Sequence, residues 1–176
     1  MFGIFDDKDD FLSEKRSFFG KLPIEVSEHY DWNKHIDMID THPASSTAVK
    51  HDKFRIALNS LHCRPSSPEF ANEIQKEMEE IFGFDGHKIT NIAFTGFGKE
   101  NQSYPRHADR MDVFLLQVLG EIEMKLENHN DEESFFLRPG EYVWIPRGTH
   151  HQIIPHKCRV TFSFGVEGEP DPSLYF

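Results

Sequence analysis

His107-Ala108-Asp109, then Gly120, then Gly140-Glu141-Tyr142-Val143-Trp144-Ile145-Pro146-Arg147-Gly148-Thr149-His150-His151, running on to Val166, is the stretch whose reading decides the fold. Short β-type runs surround it. Residues 113–119 read as a strand, Gly120 as a turn and 121–126 as the return strand. The return strand alternates, with Ile122, Met124 and Leu126 on one face and Glu121, Glu123 and Lys125 on the other. Residues 128–133 read as a polar turn. Four further strands are expected at 134–137, 141–145, 150–154 and 159–166, separated by Pro139-Gly140, Pro146 to Gly148 and Pro155-His156-Lys157. Upstream, 89–95 is also β-rich. Many short strands at near-regular spacing predict a mainly β fold, a barrel or double sheet.

The same stretch carries candidate metal ligands. The chain has four His-x-Asp pairs: His29/Asp31, His35/Asp37, His107/Asp109 and His129/Asp131. Context separates them. His35/Asp37 falls in an expected helix, where i and i+2 diverge, and His129/Asp131 falls in the polar turn. His107/Asp109 enters a strand, where i and i+2 share a face and can address one site. Of the adjacent His150 and His151, alternation lets only one point inward. The competing reading is a set of satisfied core histidines.

The preceding residues read as cladding. Residues 2–20 are an aromatic and charged segment, a short helix or an arm. Residues 22–30 are expected to be an edge strand. Trp32, Ile36 and Ile39 share one helical face, with Asp31 as N-cap. Residues 41–49 are a loop by composition. The clearest helix spans 68–82, with Ser67 as N-cap and Pro68 in the first turn. Phe70, Ile74, Met78, Ile81 and Phe82 form its apolar face; Glu73, Lys76, Glu77 and Glu80 lie away from it, and Gly83 and Gly86 end it. This helix is expected to cover a sheet.

Composition sets outer bounds. With 176 residues, one domain is expected, and seventeen phenylalanines suit a sheet-rich core. A formal charge of −11 disfavours nucleic acid as the main partner. Two distant cysteines, Cys63 and Cys158, disfavour a disulfide scaffold or zinc ribbon and suit a reducing cytoplasm. The acidic start, residues 1–10, lacks the pattern of a signal peptide, and no run is long and apolar enough for a membrane span.

Gly140, Pro146, Gly148 and His151 match the second motif of the cupin superfamily, with Pro155 where asparagine is common. His107-x-Asp109 leading to Gly120 matches the first motif in part; Asp109 stands for a second histidine, and Val113 or Phe114 for a glutamate. The closer resemblance is to JmjC-type, cupin-fold oxygenases, including ribosomal-protein hydroxylases. It rests on His107 and Asp109, on Asp112 to Gln117, on Pro139-Gly140-Glu141 and on Ile145-Pro146 to His151. It implies a double-stranded β-helix (a cupin or jelly-roll barrel) with N-terminal helices packed on one sheet. Residues 1–86 would be cladding of the same domain, 87–168 the cupin core and 169–176 a tail. It further implies Fe(II) held by His107, Asp109 and His151, with 2-oxoglutarate and O₂ consumed to hydroxylate a C–H bond.

Such an oxygenase needs a cation for the distal carboxylate of 2-oxoglutarate. Relatives commonly carry it on the return strand, where this chain has Ile122; Lys125 faces the other way. Arg159, eight residues after His151, is the better candidate, with Thr161 and Ser163 on the same face. The alternative is that this face meets solvent. Gln117 is expected on the inward face, orienting cosubstrate or satisfying a core polar group. Ser103 and Tyr104 are candidates for the entrance, with packing the alternative for Tyr104; Arg147 is a candidate for the rim, and Tyr142 and Trp144 for core or interface.

The substrate, a peptide or protein side chain or a small molecule, is not legible. Two other readings remain open: a metal-dependent cupin of other chemistry (a different dioxygenase or an isomerase), and a non-catalytic small-ligand-binding cupin. Self-association, as a homodimer, is expected on the resemblance, with the N-terminal aromatic segment offering a contact.

Overall fold

The structure, a computed structural model, describes residues 1–41, 47–50, 55–59, 61, 66–83, 88–97, 103–128 and 131–168. Its strands form two antiparallel sheets. The larger joins β1 (Phe18–Lys21), β9 (Glu141–Ile145), β6 (Asp112–Leu119), β11 (Arg159–Glu167), β4 (Lys88–Gly96), β3 (Arg55–Asn59) and β2 (Thr47–Lys50), in that order. The smaller joins β5 (His107–Ala108), β10 (His150–Pro155), β7 (Ile122–Asn128) and β8 (Asp131–Leu137). From β4 onward the chain passes back and forth between the sheets, with only the β7–β8 hairpin staying in one of them, which is the expected double-stranded β-helix. The helices are α1 (Asp9–Ser13), α2 (Val26–His29), α3 (Trp32–Thr41) and α4 (Glu69–Phe82).

Two-residue periodicity builds two cores on one sheet. From β6, Val113 and Leu115 face the smaller sheet and meet Ile122, Met124, Leu126 and Leu137. Phe114, Leu116 and Val118 face the opposite way, into an outer core with the helices. β11 divides likewise, with Val160, Phe162, Phe164 and Val166 in the outer core. That outer core absorbs much of the phenylalanine. Phe82 stacks on Trp144 with centroids 5.4 Å apart, and Phe70 on Phe162 at 6.0 Å. Tyr142 and Trp144 belong to it as expected.

Several expectations change. Residues 22–30 do not form the edge strand. The edge strand is β1, where Phe18 pairs with Trp144 of β9 and stacks on it, while 26–29 form the one-turn α2 that buries Val26. Gly120 does not close a hairpin. β6 pairs with β9 and β11, and β7 with β8 and β10, so the chain crosses between sheets at Gly120. Gly120 has φ of +73°, and a Cβ there would strike the Cys158 carbonyl, so both backbone and space require glycine. Of the expected polar turn, Asn128 and 131–133 lie in paired strands, with Asp131 opposite Asn128, and 129–130 lie outside the described residues. The α4 N-cap is Pro68, whose extended backbone (φ −66°, ψ 143°) takes the place expected of Ser67. Of the N-terminal aromatics, Phe2, Phe5, Phe11 and Phe18 pack into the chain's own outer core, while Phe19 stays exposed. The tail (169–176), Gly86, His129 and most of the 41–49 loop lie outside the described residues.

Glu77 differs most from its expected place. It is buried, and its carboxylate accepts backbone N–H bonds from Phe2 (2.7 Å), Gly3 (3.2 Å) and Ile4. This clamp carries Phe5 to its edge contacts with Phe82 and Trp144. Glu77→Ala would leave those donors without their acceptor, and a loss of about 3 kcal/mol is expected in urea unfolding. Glu77→Gln, which keeps an acceptor oxygen, should lose less.

His35 is a second internal clip. Asp31 caps α3 as expected, accepting from Lys34 N at 2.9 Å. One turn on, His35 is fully buried, with Nδ1 2.8 Å from the Tyr30 hydroxyl and Nε2 2.6 Å from that of Thr95. Burial lowers its pKa from 6.5 to about 4. Between those values the unfolded chain binds the extra proton and the folded chain does not. Stability therefore falls as pH drops through that window and levels off below it, by about 3 kcal/mol in total. Urea unfolding at pH 7 and pH 4.5 should show a larger acid loss for the wild type than for His35→Gln.

Candidate metal centre

The smaller sheet brings the expected ligands together. β5 pairs with β10 so that His107 lies directly opposite His151, which puts both side chains on one face. Asp109 follows two residues later on the same side. His107 Nε2 is 3.6 Å from Asp109 Oδ1, His151 Nε2 is 3.5 Å from Oδ2, and the imidazole centroids are 4.5 Å apart. One ligand atom from each residue falls within 4.8 Å of the others. The opposing turn is tied in by Gly148 N, which donates to the Asp109 carbonyl at 2.9 Å; Gly148 has φ of +81°.

The backbone selects the tautomers. His107 Nδ1 is 2.8 Å from the Pro105 carbonyl, and His151 Nδ1 is 3.1 Å from the Thr149 carbonyl. A carbonyl can only accept, so each Nδ1 carries the proton and each Nε2 presents its lone pair to Asp109. Burial lowers the pKa of His151 below the usual histidine value, which favours the neutral ligand form. Two neutral imidazoles and one carboxylate fit a divalent ion of borderline softness. His150 points outward, half exposed, with Nδ1 2.8 Å from a Glu127 oxygen. The expected choice of His151 over His150 matches this geometry.

A cavity of about 280 Å³ opens beside these ligands. Ile92, Phe94, Met111, Val113, Leu115 and Ile153 make most of its wall. In the sequence, Val113 and Leu115 stood out only within the Asp112 to Gln117 resemblance and the others not at all, because apolar strand residues that line a cavity look like core. Ser103 and Tyr104 line it, and the half-exposed Tyr104 sets its ring edge-on to Phe94 and tilted against His107. Arg159 and Ser163 line it from β11. Arg159 is 3% exposed, which rules out the alternative of a solvent-facing strand face.

Other candidates fall elsewhere. Ile122 is buried between the sheets, and Lys125, on the opposite face, lies 3.6 Å from Glu132. Arg147 is not at the rim: its guanidinium holds the Asp112 carboxylate at 2.7 Å and its backbone N–H donates to it at 2.8 Å. Among the described residues, Arg159 is therefore the one arginine or lysine lining the cavity. Gln117 and Thr161 share its face but sit behind it, fully buried and off the wall. The carbonyls of Pro105 and Thr149 that orient the imidazoles carry no sequence signal.

No family model matches the chain. It is 27% identical to ribosomal oxygenase 2 of Bos taurus over 117 residues, covering 53% of this chain and 25% of that protein. It is 26% identical to the Rattus norvegicus protein of the same name, with the same coverage. The chain thus spans about a quarter of the length of these curated relatives. Escherichia coli ribosomal oxygenase YcfD superposes with a TM-score of 0.65 at 14% identity, over 94% of this chain and 52% of that one. A structure of YcfD in complex with cobalt and 2-oxoglutarate superposes at 0.64, with 14% identity, over 94% of this chain and 53% of that one. A Pseudomonas putida prolyl-4-hydroxylase superposes at 0.63 with 13% identity, over 90% and 95% of the two chains. The fold is the one these oxygenases share, and in sequence the chain is similar to the ribosomal oxygenases.

Proposed function

We propose that this chain is an Fe(II)- and 2-oxoglutarate-dependent oxygenase that hydroxylates a side chain of a peptide or protein. The observation that carries this reading is the pairing of two features in one cavity. A two-histidine, one-carboxylate cluster lines one part of it, and a buried arginine lines another. His107 Nε2, His151 Nε2 and an Asp109 oxygen would hold the metal. Bound there with 2-oxoglutarate and O₂, Fe(II) supplies the oxidation of a C–H bond, with succinate and CO₂ as coproducts.

The chain's own residues do the rest. Arg159 offers a planar, permanently charged donor fork to the distal carboxylate of 2-oxoglutarate. Ser163 adds a hydroxyl on the same wall. Phe94, Met111, Leu115 and Ile153 exclude water from the ligand. Tyr104, against His107 at the mouth, would guide the substrate. A metal-dependent cupin of other chemistry, or a non-catalytic one, leaves the buried Arg159 without a comparable role. A macromolecular substrate is supported by the names of the relatives, and the formal charge of −11 argues against nucleic acid as that partner. A reducing cytoplasm suits a ferrous ion and the exposed thiol of Cys158.

The test is turnover in air. The Fe(II)-loaded chain with 2-oxoglutarate should form succinate, detectable by proton NMR, and formation should stop without Fe(II) or without O₂. Stoichiometric bound iron with no succinate, with or without candidate peptides, would end this reading.

A further inference from the structure

Behind Arg159 lies a chain of hydrogen bonds with a fixed direction. Gln117 Nε2 donates to the carbonyls of Leu119 at 2.7 Å and Gly120 at 3.1 Å, so both amide hydrogens are used and Oε1 is the acceptor. The Thr161 hydroxyl donates to that Oε1 at 2.8 Å, which uses its one proton. Arg159 Nη1 then donates to Thr161 Oγ1 at 3.0 Å. All three residues are buried, Gln117 and Thr161 completely.

Continuous strand register makes this alignment, since β11 and β6 pair without interruption from Val166 opposite Asp112 to Thr161 opposite Gln117. Along β11 and β6, Val160 pairs with Leu119, but Thr161 pairs with Gln117, so Val118 has no counterpart. This β-bulge begins just past the Thr161–Gln117 pair and leaves Val118 unmatched, with its side chain in the outer core. The regular register thus stands the inward Gln117 directly beside the inward Thr161. Burying an amide between two sheets is costly unless it is satisfied, and here each of its groups is.

We infer that Gln117 is a positioning residue which, through Thr161, sets the angle and depth at which Arg159 meets a carboxylate in the cavity, and so the length of dicarboxylate that fits. This rests on the proposed use of 2-oxoglutarate. It also moves Thr161 from ligand contact to support, because its hydroxyl proton is committed to Gln117. Selection for length follows from rigidity. A guanidinium tethered at Nη1 cannot retreat to admit an extra methylene or advance to meet a shorter acid.

The experiment compares binding of 2-oxoglutarate, oxaloacetate and 2-oxoadipate to the Mn(II)-loaded protein by calorimetry, for wild type, Gln117→Leu, Thr161→Val and Thr161→Ser. Wild type should prefer 2-oxoglutarate. Gln117→Leu and Thr161→Val should each weaken it about tenfold, the effect of losing one charge-assisted hydrogen bond. They should also narrow the preference over the two analogues, with Mn(II) affinity unchanged. Thr161→Ser, which keeps the hydroxyl, should behave as wild type. Thr161→Val preserves volume, so it reads the relay even where Gln117→Leu folds poorly. A wild type that binds 2-oxoglutarate, with variants that keep its affinity and its preference, would overturn this inference alone. A wild type that binds none of the three acids would overturn the proposed cosubstrate and this inference together.

Discussion

Asp109→Ala is expected to lower Fe(II) affinity more than about a hundredfold and to abolish succinate formation while the chain stays folded. Losing groups that merely support a ligand typically costs ten- to a hundredfold in metal affinity, and Asp109 is the one anion of the cluster. Its oxygens lie 3.5 and 3.6 Å from the two Nε2 atoms, so its removal leaves two neutral donors without charge compensation. The fold should tolerate the change. The side chain is a third exposed, and the bond from Gly148 N goes to the Asp109 backbone carbonyl, which alanine retains. Thermal melts separate the two effects. The metal-free variant should melt close to the metal-free wild type, and only the wild type should gain stability on adding Fe(II), by linkage. Equal stabilisation of both proteins would remove Asp109 from the site.

Arg159→Leu should weaken 2-oxoglutarate binding by a hundredfold or more, with Fe(II) affinity unchanged. Truncating one side of a buried, hydrogen-bonded charge pair costs about 2–5 kcal/mol, much of it from stranding the other charge. Among the described residues, no other arginine or lysine lines the cavity. Lys125 faces away and lies beside Glu132, Arg147 is bound to Asp112, and Ile122 fills the position on β7. Folding should survive, because leucine removes a charge that is costly to bury, and Thr161 loses only a donor to its oxygen. Calorimetry on the Mn(II)-loaded variant measures this directly. Unchanged affinity for 2-oxoglutarate would take Arg159 out of the role.

Most of the barrel was legible, and what was not has physical reasons. Alternation located β6, β7, β9, β10 and β11 and assigned their faces, because period two is local. It could not choose partners. Ile122, Met124 and Leu126 satisfy a hairpin with β6 and a place in the facing sheet equally well, and only the crossing at Gly120 decides. His107 and Asp109 were singled out because i and i+2 on a strand share a face, and His151 by its spacing from Gly140, Pro146 and Gly148; the pairing of β5 with β10 brings the three together. Whether Arg159 faced a cavity or solvent was not, since a strand with one apolar face can be either. Burial of Val160, Phe162 and Phe164 beneath α4 and the N-terminal segment turns the polar face inward. Glu77 was placed outward by helical periodicity. Its partners are backbone N–H groups of Phe2, Gly3 and Ile4, which no sequence pattern reports. The cross-strand register that seats Gln117 beside Thr161 leaves no composition signal, and neither does the bulge at Val118 that follows it.

The most direct test is an anaerobic titration. Fe(II) is added to the metal-free chain, then 2-oxoglutarate, and the visible spectrum is followed. A new absorption band that needs both additions, saturates at one equivalent of each and is absent from Asp109→Ala is the expected result. Tight one-to-one Fe(II) binding with no band at any 2-oxoglutarate concentration would contradict the assignment of this cavity to the keto-acid.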